Sequence, residues 1–93
     1  MPLLSEAEIL SALAALPGWL HADDEIEKTF ECDSFADAIA FVVRIGFFAE
    51  AADHHPDLDV RWRKVRVALT THDAGGLTGR DLALAASIDE TAA

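Results

Sequence analysis

The sequence predicts an α+β fold in which three helices lie on one face of a four-stranded antiparallel sheet. Helical and strand patterns follow one another in the order α-β-β-α-β-β-α along the 93 residues. Short connections inside each strand pair favour antiparallel pairing, because parallel strands need a long crossover. A chain of this length buries only about 60–65% of its unfolded surface, so we expect residues 1–93 to form a single domain.

Two capping signals mark the first and last helices. Ser5 is followed three residues later by Glu8, which predicts a first helix over about 6–16, ended by a Pro-Gly pair. Thr78 and Asp81 form an equivalent pair. They predict the start of the last helix.

Two strand pairs and a long helix are predicted between these ends. Residues 19–32 place β-forming residues on both sides of the sequence DDE, which predicts a hairpin. The following run predicts a helix over about 35–52, opened by Ser34. The stretches LDVRW and KVRVALTTH alternate and predict strands three and four, with His72 at the end of strand four.

The long helix carries more apolar surface than one sheet face covers. Its two apolar stripes are expected to face the sheet and another subunit, so the protein is predicted to form an oligomer. If the stripe containing Phe41 and Ile45 faces a partner, a charge at Phe48 should weaken assembly more than the same change at Arg44.

Charge and composition narrow the possible partners. The net charge of −10 argues against direct binding of nucleic acid, which depends on clustered Lys and Arg. No apolar run reaches the roughly 18–20 residues that span a bilayer. Cys32 is the only cysteine, and the first residues lack the pattern of a signal peptide, so we expect a cytoplasmic protein.

Adjacent histidines at the end of the long helix are the main candidates for chemistry. Glu50 lies four residues before His54, on the same helical face, where its carboxylate can orient the imidazole. Pro56 disfavours helical geometry at His55, so the two rings should leave the backbone in different directions. His72 is a third candidate, at a strand end beside a glycine loop.

Other roles for these residues remain open. The histidines also suit helix capping or, with Glu50, metal binding, although no HExxH or CxxC motif accompanies them. Asp81 is expected to cap the last helix and can also partner an active-site group. Trp19 and Trp62 suit the core, an interface, or a wall beside a flat heterocycle. The basic residues within 61–66 are expected to form surface ion pairs.

The chain resembles the pterin-4a-carbinolamine dehydratase family at seven spaced positions. The likeness extends through GW at 18–19 and THDAGGLT at 71–78 to nearly the whole chain, with departures at Leu58, Trp62 and Arg63 on the rim of the expected pocket. The seven positions in register are Glu50, His54, His55, Pro56, Trp62, His72 and Asp81.

The resemblance implies the same fold, assembled as a homodimer or homotetramer. It also implies removal of water from 4a-hydroxytetrahydropterin to give quinonoid dihydropterin, which recycles the pterin of aromatic amino acid hydroxylases. No metal or organic cofactor is implied, and a hydroxylase is a possible partner. The alternative is a non-enzymatic dimerisation, assembly or transcriptional-cofactor module on the same fold.

The resemblance further implies roles for individual residues. His54 and His55 are assigned to proton transfer, and His72, with Thr71 and Asp73, to holding the pterin within the catalytic site. Imidazole suits general acid and base catalysis because it exchanges protons near neutral pH.

Overall fold

The sheet has four antiparallel strands in the order β1-β2-β4-β3. The computed structural model describes residues 2–92. The predicted α+β class and element order are confirmed, with one added turn of 3-10 helix at His72–Ala74. The elements are α1 (Glu6–Leu13), β1 (Leu20–Ala22), β2 (Glu25–Glu31), α2 (Phe35–Ala52), β3 (Asp57–Arg61), β4 (Lys64–Leu69) and α3 (Gly79–Thr91).

One face of the sheet carries the apolar core. In the central strand pair, Ile26 lies opposite Leu69 and Phe30 lies opposite Val65, and all four side chains are buried. The ring of Phe30 packs edge-on against Phe41 of α2, with ring centroids 4.9 Å apart. The helices complete this core with Ile9, Ala38, Ile45, Leu84, Ala85 and Ile88.

The opposite face of the sheet is polar. Arg66 of β4 pairs with Glu25 and Glu27 of β2, and these carboxylates raise the pKa of its guanidinium. Arg63, in the turn just before β4, pairs with Glu31 of β2 at 3.1 Å. The surface ion pairs predicted for the basic segment are therefore confirmed for these two arginines.

Both predicted capping boxes are present, but α1 is shorter than expected. Hydrogen bonds from the Ser5 backbone and side chain hold the pKa of Glu8 below its ordinary value. The helix ends at Leu13 rather than residue 16. After Leu13, hydrogen bonds that span three residues replace the α-helical ones that span four. Leu16 N–H, for example, donates to the Leu13 carbonyl at 3.1 Å. This turn brings Leu16 and Trp19 into the core.

The apolar stripes of α2 face other directions than the sequence suggested. Phe41 and Ile45 are buried against the protein's own sheet, so the premise that their stripe faces a partner is wrong. The exposed stripe follows an i, i+4 spacing, because every fourth residue lies on nearly the same helical face. We call it the outer stripe: Phe35, Ile39, Val43 and Phe47, exposed by 52%, 41%, 53% and 73%.

The end of β4 also differs from its prediction. The strand ends at Leu69, and His72 begins the 3-10 turn instead of closing the strand. An isolated bridge between Thr71 and Gly76 closes this loop, and Gly75 adopts a positive φ of 78° within it. The loop places His72 beside the start of α3. Within residues 2–92, none of the helices has the length and apolar character needed to cross a membrane.

Candidate active site

One cleft brings the three predicted histidines together. It has a volume of about 190 Å³ and lies where the end of α2, the end of β4 and the start of α3 meet. Its lining includes five residues that the sequence assigned to the site and three that it did not. The lining residues are Asp53, His54, His55, Thr70, Thr71, His72, Asp73 and Arg80.

The end of α2 sets the direction of His54. Asp53 ends the helix in the left-handed conformation, with φ 50° and ψ 44°. The next amide, that of His54, donates to the carbonyl of Ala49 at 3.1 Å. This reversal turns the ring of His54 inward, where the residue is only 7% exposed.

The two histidines have different carboxylate partners from those predicted. The imidazole Nε2 of His54 lies 2.5 Å from Oδ1 of Asp81. The expected pairing of Glu50 with His54 is wrong, because Glu50 Oε1 lies 2.6 Å from Nε2 of His55. The left-handed residue between helix and histidine takes His54 off the helical face that Glu50 occupies. The rings do point in different directions, as predicted.

Asp81 sits at the centre of a buried hydrogen-bond network. Its Oδ2 accepts from the Thr71 hydroxyl at 2.8 Å and from the Thr78 N–H at 2.9 Å. The Thr78 hydroxyl lies 2.8 Å from the Thr71 hydroxyl and donates to it. Asp81 is fully buried, so it both caps α3 and orients His54, the two roles that the sequence left open.

The network leaves one nitrogen of His54 free. A carboxylate has only acceptor oxygens, so Oδ1 of Asp81 accepts from Nε2–H of the imidazole. Nδ1 has no hydrogen-bond partner among residues 2–92. Every buried side-chain nitrogen or oxygen in that range does have a partner, so Nδ1 is accessible to solvent. In the neutral ring, Nδ1 is the proton acceptor.

His55 and Glu50 form the outer pair of the site. Their side chains are 59% and 79% exposed, so both groups are in contact with solvent. Pro56 follows directly and leads the chain into β3. The cleft thus has a buried imidazole on one side and a solvated imidazole on the other.

Thr71 lines the cleft, but its polar groups are engaged in hydrogen bonds within the protein. Its hydroxyl is committed to Asp81 and Thr78, and its amide donates to the Gly76 carbonyl at 3.0 Å. Its own carbonyl accepts from the amides of the following turn. This leaves His72 and Asp73, both exposed, as the loop residues with side chains free to contact a ligand.

Trp62 does not line this cleft. It lies in the β3–β4 turn with a positive φ of 54° and is 71% exposed. The length of β3, about 17 Å for five residues, separates it from the histidines. The guanidinium of Arg63 stacks over its ring at 5.1 Å. Trp19, by contrast, is a core residue whose Nε1–H donates to Asp89.

Arg80 is one of the three cleft residues that sequence reasoning missed. It occupies the first turn of α3, and its guanidinium donates to the backbone carbonyls of Asp53 and Ala52. A contact across 27 residues leaves no local signal in the sequence. Its position next to Asp81 in the capping box is the one available indication.

A larger cleft lies at the other end of the molecule. It measures about 390 Å³ but contains no histidine, and its walls combine acidic residues with Phe30, Phe41 and Arg44. Partly buried Cys32 lies in its wall. Size alone does not define a reaction, so the histidine cleft is the candidate active site. Within residues 2–92, no three His, Cys, Asp or Glu side chains are grouped to hold a metal ion.

The fold and the cleft define a small α+β protein with histidine and carboxylate groups suited to proton transfer. Residues 2–91 match the model of the family described as pterin 4 alpha carbinolamine dehydratase. The chain belongs to this family, which is one of hydro-lyases.

Relatives of known sequence agree over nearly the full length. A protein of Roseiflexus castenholzii is 61% identical over 88 residues, which cover 95% of each chain. One of Chloroflexus aurantiacus is 60% identical over 90 residues, which cover 97% of each. Both are provisionally named pterin-4-alpha-carbinolamine dehydratase.

Two solved structures share the architecture. A crystal structure from Brucella melitensis, described as a transcriptional coactivator/pterin dehydratase, has a TM-score of 0.94 and 33% identity, covering 98% of this chain and 99% of that one. A pterin dehydratase-like protein described as a RuBisCO assembly factor in the alpha-carboxysome has a TM-score of 0.67, covering 80% of this chain and 86% of that one. At 23% identity, the second likeness shows the fold alone.

Proposed function

We propose that the protein removes water from a 4a-hydroxytetrahydropterin to give a quinonoid dihydropterin. The observation that carries this proposal is the cleft in which His54, held by buried Asp81, lies beside His55 and His72. Membership of the family supplies the substrate class. The dehydration would recycle the pterin of an aromatic amino acid hydroxylase in the cytoplasm.

The reaction needs an acid and a base on a flat ring. A proton is delivered to the 4a-hydroxyl, the C4a–O bond breaks, and water leaves with the bonding electrons. The N5 lone pair forms the C4a=N5 double bond, and the proton on N5 is lost to a base. General acid and base catalysis of this kind contributes about 10²–10⁴-fold.

His54 suits the role of the base. Its accessible Nδ1 accepts the proton, and the Asp81 carboxylate on the far side of the ring stabilises the resulting imidazolium. His55 suits the role of the acid, because its exposed pair with Glu50 can regain a proton from solvent after each turnover. His72 and Asp73 then hold the pterin from the loop side of the cleft.

A stopped-flow assay tests the function directly. The carbinolamine is generated in situ by a pterin-dependent hydroxylase, and its decay is followed with and without this protein. We expect the decay to accelerate at protein concentrations far below that of the carbinolamine. An unchanged decay rate at equimolar protein would remove the proposed activity.

Activity is expected to need no metal ion. Imidazole groups supply both the acid and the base in the proposed reaction, so dialysis against a strong chelator should leave kcat unchanged. Metal analysis of the purified protein before and after dialysis provides the control. Stoichiometric zinc lost together with activity would instead support a metal-dependent reaction.

A homo-oligomer is part of the same proposal. The outer stripe of α2 presents four large apolar side chains on one helical face. Contiguous apolar surface of this kind marks contact sites in water-soluble proteins. A second copy of α2 offers a matching apolar face, as in homodimers and homotetramers.

Phe47→Asp should therefore weaken assembly. Phe47 is 73% exposed, the most exposed residue of the outer stripe, so a charge there costs little in the monomer but is buried in the oligomer. Sedimentation velocity across a concentration series measures the shift toward monomer. Leu10→Asp is the matched control, because Leu10 is 68% exposed on α1. Equal effects of the two substitutions would argue against the outer stripe as the interface.

The alternative function is a non-enzymatic dimerisation, assembly or transcriptional-cofactor module. The outer stripe favours it, since the same surface can receive a protein partner. The description of the Brucella melitensis relative as a coactivator/pterin dehydratase names both kinds of role for that protein. The stopped-flow assay separates them, because a module without catalysis leaves carbinolamine decay unchanged.

A further inference from the structure

Arg80, at the start of α3, forms hydrogen bonds to the end of α2. Its Nη2 donates to the carbonyl of Asp53 and, at 3.4 Å, to that of Ala52. Carbonyls at a helix C-terminus have no partner within the helix, so they need such donors. A guanidinium matches them well, because its planar fork presents several donors in fixed directions.

The segment that Arg80 holds has an unusual backbone. Asp53 adopts the left-handed conformation, which side chains other than glycine disfavour. Such a conformation persists only where the surroundings over-determine it. The Asp53 amide bonds back to Ala49 and Glu50, and Arg80 holds its carbonyl.

Two consecutive residues of α3 therefore act on the same short segment. Arg80 holds the backbone immediately before His54, and Asp81 holds the His54 ring. Because both belong to the first turn of one helix, their separation is set by helical geometry. Backbone and ring are thus located relative to a common rigid element.

We propose that Arg80 is a positioning residue for His54, acting through the backbone of Asp53. This inference rests on the proposed function and adds to it the residue that fixes the position of His54, the proposed base. Asp81 alone holds the ring at one atom, about which the imidazole and its backbone can still rotate. Small displacements of a catalytic group cost rate, since about 1 Å of misplacement can cost 100-fold.

Substitution of Arg80 should lower kcat and leave KM nearly unchanged. We expect Arg80→Met to reduce kcat about tenfold, because binding of the pterin does not depend on where His54 points. Arg80→Lys keeps the charge but loses the fork, so its kcat should fall between those of Arg80→Met and the unaltered protein. Arg61→Met is the matched control, because Arg61 is 83% exposed and, within residues 2–92, pairs only with nearby Asp59.

Each kinetic outcome either supports or refutes the positioning role of Arg80. A lower kcat with unchanged KM in Arg80→Met, graded through Arg80→Lys, supports positioning. A raised KM with unchanged kcat would show that Arg80 binds substrate instead. A lower melting temperature with unchanged kcat and KM would show a purely structural role. If Arg80→Met does not fold, the kcat of Arg80→Lys decides the same question.

Amide hydrogen exchange gives a readout that is independent of activity. The His54 amide, bonded to the Ala49 carbonyl, should exchange about fivefold faster or more in Arg80→Met, because local opening exposes it. The Ile9 amide in α1, bonded to Ser5, should keep its rate. An unchanged His54 rate overturns the inference. If the unaltered protein has no dehydratase activity but the His54 amide exchanges faster in Arg80→Met, the proposed function is refuted and the backbone contact of Arg80 is still established.

Discussion

Alanine at His54 or at His55 is expected to lower kcat about tenfold or more while the fold survives. In the proposed reaction the two rings act on one pterin; one is buried on Asp81 and the other is solvated with Glu50. The double substitution should cost less than the product of the single ones, because groups that act on one transition state are not additive. Stopped-flow measurement of carbinolamine decay gives these values.

A second variant at His54 separates catalysis from folding. His54 is 7% exposed, and its removal leaves Asp81 Oδ1 without a donor. His54→Gln keeps an N–H group for that oxygen but cannot take up a proton, so it should fold better than alanine and be equally slow. His72→Ala is the comparison within the cleft, with an expected effect mainly on KM. Full activity in the His54→Ala, His55→Ala double variant would refute the catalytic assignment.

Asp81→Asn is expected to damage both stability and rate. The buried carboxylate accepts hydrogen bonds from His54, Thr71 and the Thr78 amide. An amide offers one acceptor oxygen in place of two. If that oxygen keeps Thr71 and the Thr78 amide, the NH2 group faces His54, and its second N–H is buried without an acceptor. We expect the free energy of unfolding to fall by about 2–4 kcal/mol. Urea denaturation measures this loss.

The loss of rate follows from the imidazole tautomer. An asparagine N–H pointing at Nε2 makes that nitrogen the acceptor and moves the ring proton to Nδ1, which then cannot accept the proton of the pterin. A wrong tautomer with intact geometry is a severe defect, and we expect kcat to fall about 100-fold or more.

Glu8→Gln is the matched control for Asp81→Asn. Both residues occupy the third position of a helix and complete a capping box, but Glu8 lies at the surface and contacts no histidine. The control should show a much smaller loss of stability and an unchanged kcat. If Asp81→Asn behaved like the control in both measurements, Asp81 would be a helix cap and nothing more.

The sequence predicted the fold because its signals are local. The capping boxes at Ser5 and Thr78 depend on residues three apart, and both form as expected. Alternation in β4 buries Val65, Val67 and Leu69 on one face. The end of α1 was placed three residues too late, because the tighter bonds that follow Leu13 come from packing of the next turn against the core.

The chemical character of the site was also contained in the sequence, whereas its pairings were not. Two adjacent histidines and a third beside a glycine loop predicted the cleft that the structure brings together. Spacing suggested that Glu50 would hold His54, since helical neighbours four apart meet. The left-handed Asp53 breaks that relation, and the carboxylate that meets His54 comes from another helix, 27 residues away.

Tertiary structure alone decided which contacts join distant segments. The positions of α3 and the β3–β4 hairpin relative to α2 decide three features of the site. These are the contact of Arg80 with Asp53, the hydrogen bonds of Thr71 and the separation of Trp62 from the cleft. The face of α2 that lies outward was likewise undetermined, because both of its stripes are apolar and only packing chooses between them. The sequence by itself determined the elements, their order and the groups available for proton transfer, since these follow from residue type and short spacing. Partners across the fold follow from three-dimensional packing, which no short spacing records.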